Sequence, residues 1–155
     1  MNLYAPRLFI MGIICIDMKK TAILPGMWGD VESDEIDELQ MSYGVVTHRP
    51  GYKKVIFSGT GYPEGDIKEQ TRGILAQIQE DLADLGGSMA DVTTLRLFVR
   101  EDVLSPETQV HIHEVRAEFF EHPHYPAATM VGVAQLLYEE MLIEIETEAE
   151  IPEDA

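Results

Sequence analysis

Positive charge is what this sequence has least of. Lys and Arg number 11 against 28 Asp and Glu, giving 155 residues a formal charge of −17. A field of that sign repels nucleic-acid phosphate and anionic membrane surfaces, so neither is expected as a partner. Cysteine is nearly missing too. Cys15 stands alone, which excludes an internal disulfide framework and suits a reducing interior, where it reads as a small buried hydrophobe. No apolar run is long enough for a bilayer: RLFIMGIICIDM ends at Asp17 and lacks a small-residue cleavage site after its basic start. Cytoplasm is the expected location. Catalytic signatures are equally scarce. Gly59-x-Gly61 lacks the spacing and lysine of a phosphate loop and reads as a turn, and there is no Gly-x-Ser-x-Gly elbow.

What is there is acid, and it is spread over the whole chain, in GDVESDEIDE, QEDLADL, YEE and ETEAEIPEDA. Distributed acid with few lysines fits a protein of a salt-rich cytoplasm, where counterions screen the self-repulsion. Residues 1–40 read differently from the rest. LFIMGIICI has the look of a buried strand, and PGMWGDVESDEIDELQ of an acidic loop. Met18, Met27 and Met41 are later candidate starts, so 1–40 is read as an extension and 41–155 as the domain.

From Met41 the pattern is regular. SYGVVTH and KKVIFSG, joined by RPGY, predict a hairpin. Ile67, Thr71, Ile74, Ile78, Leu82 and Leu85 form one helical stripe, capped by Asp66 and stopped at Gly86-Gly87. DVTTLRLFVR predicts a strand with Leu95, Phe98 and Val99 inward. Ser105-Pro106 opens a second helix running toward EFFEH, with Ile112, Val115 and Phe119 buried. ATMVGVAQL and MLIEIETEAEI predict two further strands. The expected architecture is α+β, β-β-α-β-α-β-β, a mixed sheet with both helices packed on one face. The other sheet face also carries apolar residues, which points to self-association.

His111, His113, His122 and His124 crowd one region. On a helix His111 and His113 point to different sides, whereas His122 and His124, if extended, could share one and hold zinc or nickel. No ligand spacing repeats, so solvated or pocket-rim histidines are expected rather than a metal site. Glu144 and Glu146 share one face of the last strand, opposite Ile143 and Ile145. A carboxylate there could accept a proton, although in so acidic a chain solvated glutamates are the commoner outcome.

Taken in order, Ser58-Gly59, Gln70-Thr71, Asp91-Val92, Phe119-Phe120, Pro126-Ala127 and Glu144-Ile145-Glu146 resemble the RidA/YjgF family, from about Ser42 to the end. The resemblance implies a chorismate-mutase-like α+β fold and a homotrimer with small-molecule clefts between subunits. It also implies cofactor-free hydrolysis of enamines and imines to keto acids and ammonia. In the family an arginine directly after Pro-Ala grips the substrate carboxylate in a bidentate pair, and the first Glu of Glu-Ile-Glu places the attacking water. Here Ala128 stands where that arginine is expected, while Glu144 remains as the catalytic candidate. Thr60 replaces a frequent glutamine, and His113 an asparagine of the second helix. The expected cleft draws on Tyr43, Ser58, Gly59, Thr60, Ala128 and Thr129 around Glu144, binds a small metabolite and needs no cofactor. Two function classes follow: a deaminase-type hydrolase of altered substrate, or a non-catalytic metabolite-binding or regulatory module using the same cleft. A ribonuclease, the third activity attached to relatives, conflicts with the charge. Arg49 and Arg96 of a neighbouring subunit are the substitutes foreseen for the missing anchor.

Overall fold

The computed structural model describes residues 19–23, 27–28, 31–32 and 41–153. The expected strand LFIMGIICI and Cys15 lie outside the described residues. A short edge strand, β1 (Lys19–Ile23), pairs antiparallel with β4 (Gly44–Arg49), and β2 (Met27–Trp28) pairs with β3 (Val31–Glu32) inside the stretch expected to be loop. β1 is exposed along most of its length, so backbone pairing to β4 rather than burial joins it to the sheet.

The predicted hairpin is β4 with β5 (Tyr52–Gly61), and Pro50-Gly51 makes its turn. Gly51 has φ 83°, the left-handed position a type II turn asks of its third residue. Helix α1 (Ile67–Asp84) opens on a reciprocal cap: Asp66 accepts from the Glu69 backbone at 2.9 Å, and Glu69 accepts from the Asp66 backbone at 2.7 Å. It stops at Gly86, φ 83°, where the Gly87 N–H returns to the Leu82 carbonyl. β6 (Val92–Arg100), α2 (Pro106–Arg116), β7 (Ala127–Val133) and β8 (Ile143–Pro152) complete the chain. Ser105 caps α2 by accepting from the Thr108 N–H at 3.1 Å, with Pro106 in the first turn.

The six-stranded sheet runs β1-β4-β5-β8-β6-β7, antiparallel except for the parallel pair β6–β7 that α2 connects. Both helices cover one face. Ile74, Leu75, Ile78 and Leu82 of α1 and Ile112 and Val115 of α2 are buried against Val55, Phe57, Leu95, Leu97, Ile143 and Ile145 of the strands. This is the α+β layout expected from the sequence. Two details differ. The inward residues of β6 are Leu95, Leu97 and Val99, so Phe98, expected in the core, turns to the open face. Helix α2 ends at Arg116, short of EFFEH, and beyond its helical period Phe120 rather than Phe119 is the more deeply buried.

Among the described residues no helix covers the open face. Ile56 is 45% exposed and Val131 42%. The same face carries Lys54, Arg96 and Glu148, with Arg96 2.7 Å and Lys54 3.2 Å from the Glu148 carboxylate.

Candidate functional site

β5 does not pair smoothly with β8. The register shifts between Phe57 and Thr60, so Ser58 and Gly59 form an irregularity in the strand. The Glu144 carboxylate lies directly over the Cα of Gly59; a Cβ at that position would collide with it. Glycine is therefore needed here for close approach. Ser58 donates to the Ser42 carbonyl at 2.8 Å, which fixes the lip of a hollow of about 280 Å³ reaching Val45, Ile56, Arg96 and Glu146 on the open face.

Glu144 is half-buried and makes no ion pair among the described residues. Burial first, and the neighbouring Glu146 charge second, push its carboxyl above the ordinary glutamate value. Glu148, two positions beyond Glu146, is held below that value, chiefly by its hydrogen bond from Arg96. One strand thus carries a paired carboxylate and an unpaired one of raised basicity. The second is the group suited to taking a proton from water.

Gln70 is the residue that sequence reading passed over as a family cue. It is 1% exposed. Its Nε2 donates to the carbonyls of Glu140 at 2.8 Å and Gly65 at 3.2 Å, and its Oε1 accepts from the Leu142 N–H at 2.8 Å. Helix α1 thereby clamps the segment that enters β8 two residues before Glu144.

The other expected residues lie elsewhere in the protomer. Tyr43 packs on Phe57 at 5.6 Å between ring centroids and donates to Asp81 of α1 at 2.5 Å. Burial, foremost, and that carboxylate raise its phenol well above the usual value. Thr60 is buried beside it, in register with the inward Ile145. Both are on the helix side. Ala128 pairs with the buried Leu95, so its methyl also points to the helix side, into a hollow of about 620 Å³ between α2 and β7. Thr129 points the opposite way, beside Arg96. β7 and β5 are three strands apart, about 14 Å at ordinary strand spacing. A single protomer therefore joins Gly59 to Glu144, and holds Ala128 with His113 in a separate hollow.

Arg96, one of the foreseen substitute anchors, is engaged by Glu148 and by Glu146 at 3.8 Å. Arg116, which the sequence reading did not single out, lines the Ala128 hollow. Among the described residues no three His, Cys, Asp or Glu side chains are grouped as metal ligands would be. None of the described helices is long and apolar enough to cross a membrane.

An α+β sheet layered on one side by two helices, with an unpaired glutamate on its bare side, defines the class of protein. Residues 53–151 match the family described as Endoribonuclease L-PSP. The chain belongs to this family, the YjgF/RidA family. It is 28% identical to a Mycobacterium tuberculosis member of the YjgF/YER057c/UK114 family, with a TM-score of 0.67, covering 86% of this chain and 100% of that one. A Thermotoga maritima protein described as a putative endoribonuclease is also 28% identical, with a TM-score of 0.61 over 83% of this chain and all of its own. RidA from an Antarctic Psychrobacter shares the fold at 22% identity and a TM-score of 0.60, covering 72% of this chain and 89% of that one.

Proposed function

We propose that the protein is a cofactor-free hydrolase of small imines or enamines, working as a homotrimer inside a salt-rich cell, with its cleft completed between subunits. The observation that carries this reading is the division of the site. Glu144, Ser58 and Gly59 are on the bare sheet face, and the Ala128 hollow is on the helix side beyond the opposite edge. No side chain spans that separation, but a second copy packed by its bare face would bring one half to the other. The apolar residues of that face, Val45, Ile56, Phe98 and Val131, supply the driving force.

In the reaction, Glu144 takes a proton from a water molecule as the water oxygen attacks the C=N carbon, and passes it to nitrogen to give a carbinolamine. Glu144 then takes the carbinolamine hydroxyl proton and returns it to nitrogen as the C–N bond breaks, so that carbonyl compound and ammonia leave. The substrate differs from the family's 2-imino acids. Ala128 offers no charge beside the reacting carbon, and a bidentate charged hydrogen bond contributes about 1.5–3 kcal/mol. The net charge of −17 speaks against a nucleic-acid substrate.

The test generates imines in situ with an amine oxidase or an amino-acid oxidase, traps them with semicarbazide and reads loss of semicarbazone. Imines lacking an adjacent carboxylate should be hydrolysed faster than in buffer, and Glu144→Gln should abolish the gain. Amino-acid imines should respond weakly, and more strongly with Ala128→Arg. No acceleration of either class would sink the hydrolase reading in favour of a binding module. A stable folded monomer by light scattering in molar salt would remove the shared cleft itself.

A further inference from the structure

Arg116 closes α2 and lines two adjoining hollows, the one shared with Ala128 and a second of about 360 Å³ shared with Phe120, Tyr125 and Pro126. It is half-buried, and its Nε is buried with no hydrogen-bond partner among the described residues. Among the described residues it makes no ion pair, whereas Arg72, Arg96 and Arg100 are each fixed by carboxylates at 2.6–2.8 Å. The contrast is sharp in a chain with 28 acidic residues. The reason is local. Side chains three and four positions back are the neighbours on a helix face, and for Arg116 these are Ile112 and His113; beyond the helix end, Phe120 shares its second hollow. Glu114 and Glu118 stand two positions away on other sides and pair instead with Lys68 and Arg72. An arginine stays protonated in such a setting, so the burial of its Nε costs desolvation that no hydrogen bond or ion pair among the described residues returns.

We propose that Arg116 is the anion anchor of the cleft, and that the ligand is an organic carboxylate with an apolar body. The anchor is set on α2 rather than at position 128 of β7. The apolar body is argued from the walls of the hollow, which include Leu97, Val110, Ile112 and Met130 beside the guanidinium. A carboxylate held from the helix sits elsewhere in the cleft than one held at residue 128. This inference rests on the proposed cleft and refines its substrate: an imine whose carboxylate is remote from the C=N carbon.

The test needs no turnover, so it is read separately from the hydrolase reading. Binding of hexanoate and of the uncharged hexanamide to the assembled protein is measured by ligand-observed NMR at fixed ionic strength, with phenyl phosphate as a third probe. Arg116→Gln and Arg116→Lys are compared, and subunit mass is measured for each. Hexanoate should bind more tightly than hexanamide, and Arg116→Gln should weaken it about tenfold to a hundredfold, with Arg116→Lys between. Hexanoate should also shield Arg116 from phenylglyoxal, read by peptide mass. Equal binding of acid and amide, or unchanged hexanoate affinity in Arg116→Gln, would overturn the proposal. So would tighter retention of phenyl phosphate than of hexanoate, which would make the ligand a phosphate. If Arg116→Gln dissociates the assembly and phenylglyoxal protection follows assembly rather than hexanoate, the guanidinium pairs across the interface and the proposal fails.

Discussion

Replacing Gln70 tests whether the candidate base is held in place from the helix layer. Gln70→Met keeps the length and volume of the side chain but removes all three hydrogen bonds, those to Glu140, Gly65 and Leu142. A neutral hydrogen bond contributes about 0.5–1.5 kcal/mol net, and an orphaned buried group costs about 1–3 kcal/mol. Solvent can recover part of the loss at the exposed Glu140 and Gly65, less at Leu142, which is only partly exposed. The expected destabilisation is about 2–4 kcal/mol, read as a lowered urea midpoint at one fixed protomer concentration, since assembly contributes to apparent stability. Gln70→Glu separates hydrogen bonding from shape. Its ionised form still accepts from Leu142 but faces two carbonyls with no proton to give, so it should be the less stable variant at neutral pH. It should recover as the pH falls and the new carboxyl protonates. A shift below about 1 kcal/mol for Gln70→Met, with the Glu variant no worse, would refute the clamp.

Four further outcomes follow from the same geometry. The folded state holds the Glu144 proton to higher pH than the unfolded chain, so this group's effect is to lower stability as pH rises from the ordinary glutamate value through the raised one. Glu144→Gln should therefore be more stable than the unmodified protein at neutral pH and lose that advantage in acid, by urea midpoints across pH. Gly59→Ala should cut turnover at least tenfold while leaving the melting temperature within a few degrees, because the new Cβ displaces a side chain rather than a core residue; unchanged turnover would take Glu144 out of the mechanism. The Thr147 hydroxyl is buried without a partner among the described residues, so Thr147→Val should be neutral or stabilise by about 1 kcal/mol, and a loss of stability would mean a hidden partner. Thermal midpoints should rise from dilute buffer to molar potassium chloride, given 28 acidic against 11 basic residues, and a flat or falling trend would contradict the salt-adapted reading.

How much the sequence disclosed depended on whether periodicity was one-sided. In β8, Ile143, Ile145, Ala149 and Ile151 alternate with glutamates, so the alternation alone assigns both faces. In β6, Leu97, Phe98 and Val99 are consecutive apolar residues, because the bare face also holds hydrophobes, and the period that would have chosen Leu97 was hidden. Helix caps were legible from Asp66 and Ser105, but the end of α2 was not, since nothing in RAEFF announces it. β1 could not be read as a strand: KKTAI buries almost nothing and relies on backbone pairing, which leaves no mark in side-chain pattern.

Site residues divided along a similar line. Gly59 and Glu144 meet because a glycine in an irregular strand segment admits a carboxylate, a local device visible in the sequence as Ser-Gly. Arg116 is different. Its importance lies in what is missing around it, and absence becomes visible only when the helix period is applied to its acidic neighbours. Glu114 and Glu118 flank it in sequence and look like partners; Glu114, two positions back on the helix, faces away to Lys68, and Glu118, past the helix end, pairs with Arg72, both on α1. The same two glutamates that tie α2 to α1 are thereby unavailable to Arg116. Packing the helices together and leaving Arg116 without a carboxylate among the described residues are one arrangement. A substitution that freed either glutamate, such as Arg72→Ala, would therefore leave Arg116 no nearer to an acid of its own protomer.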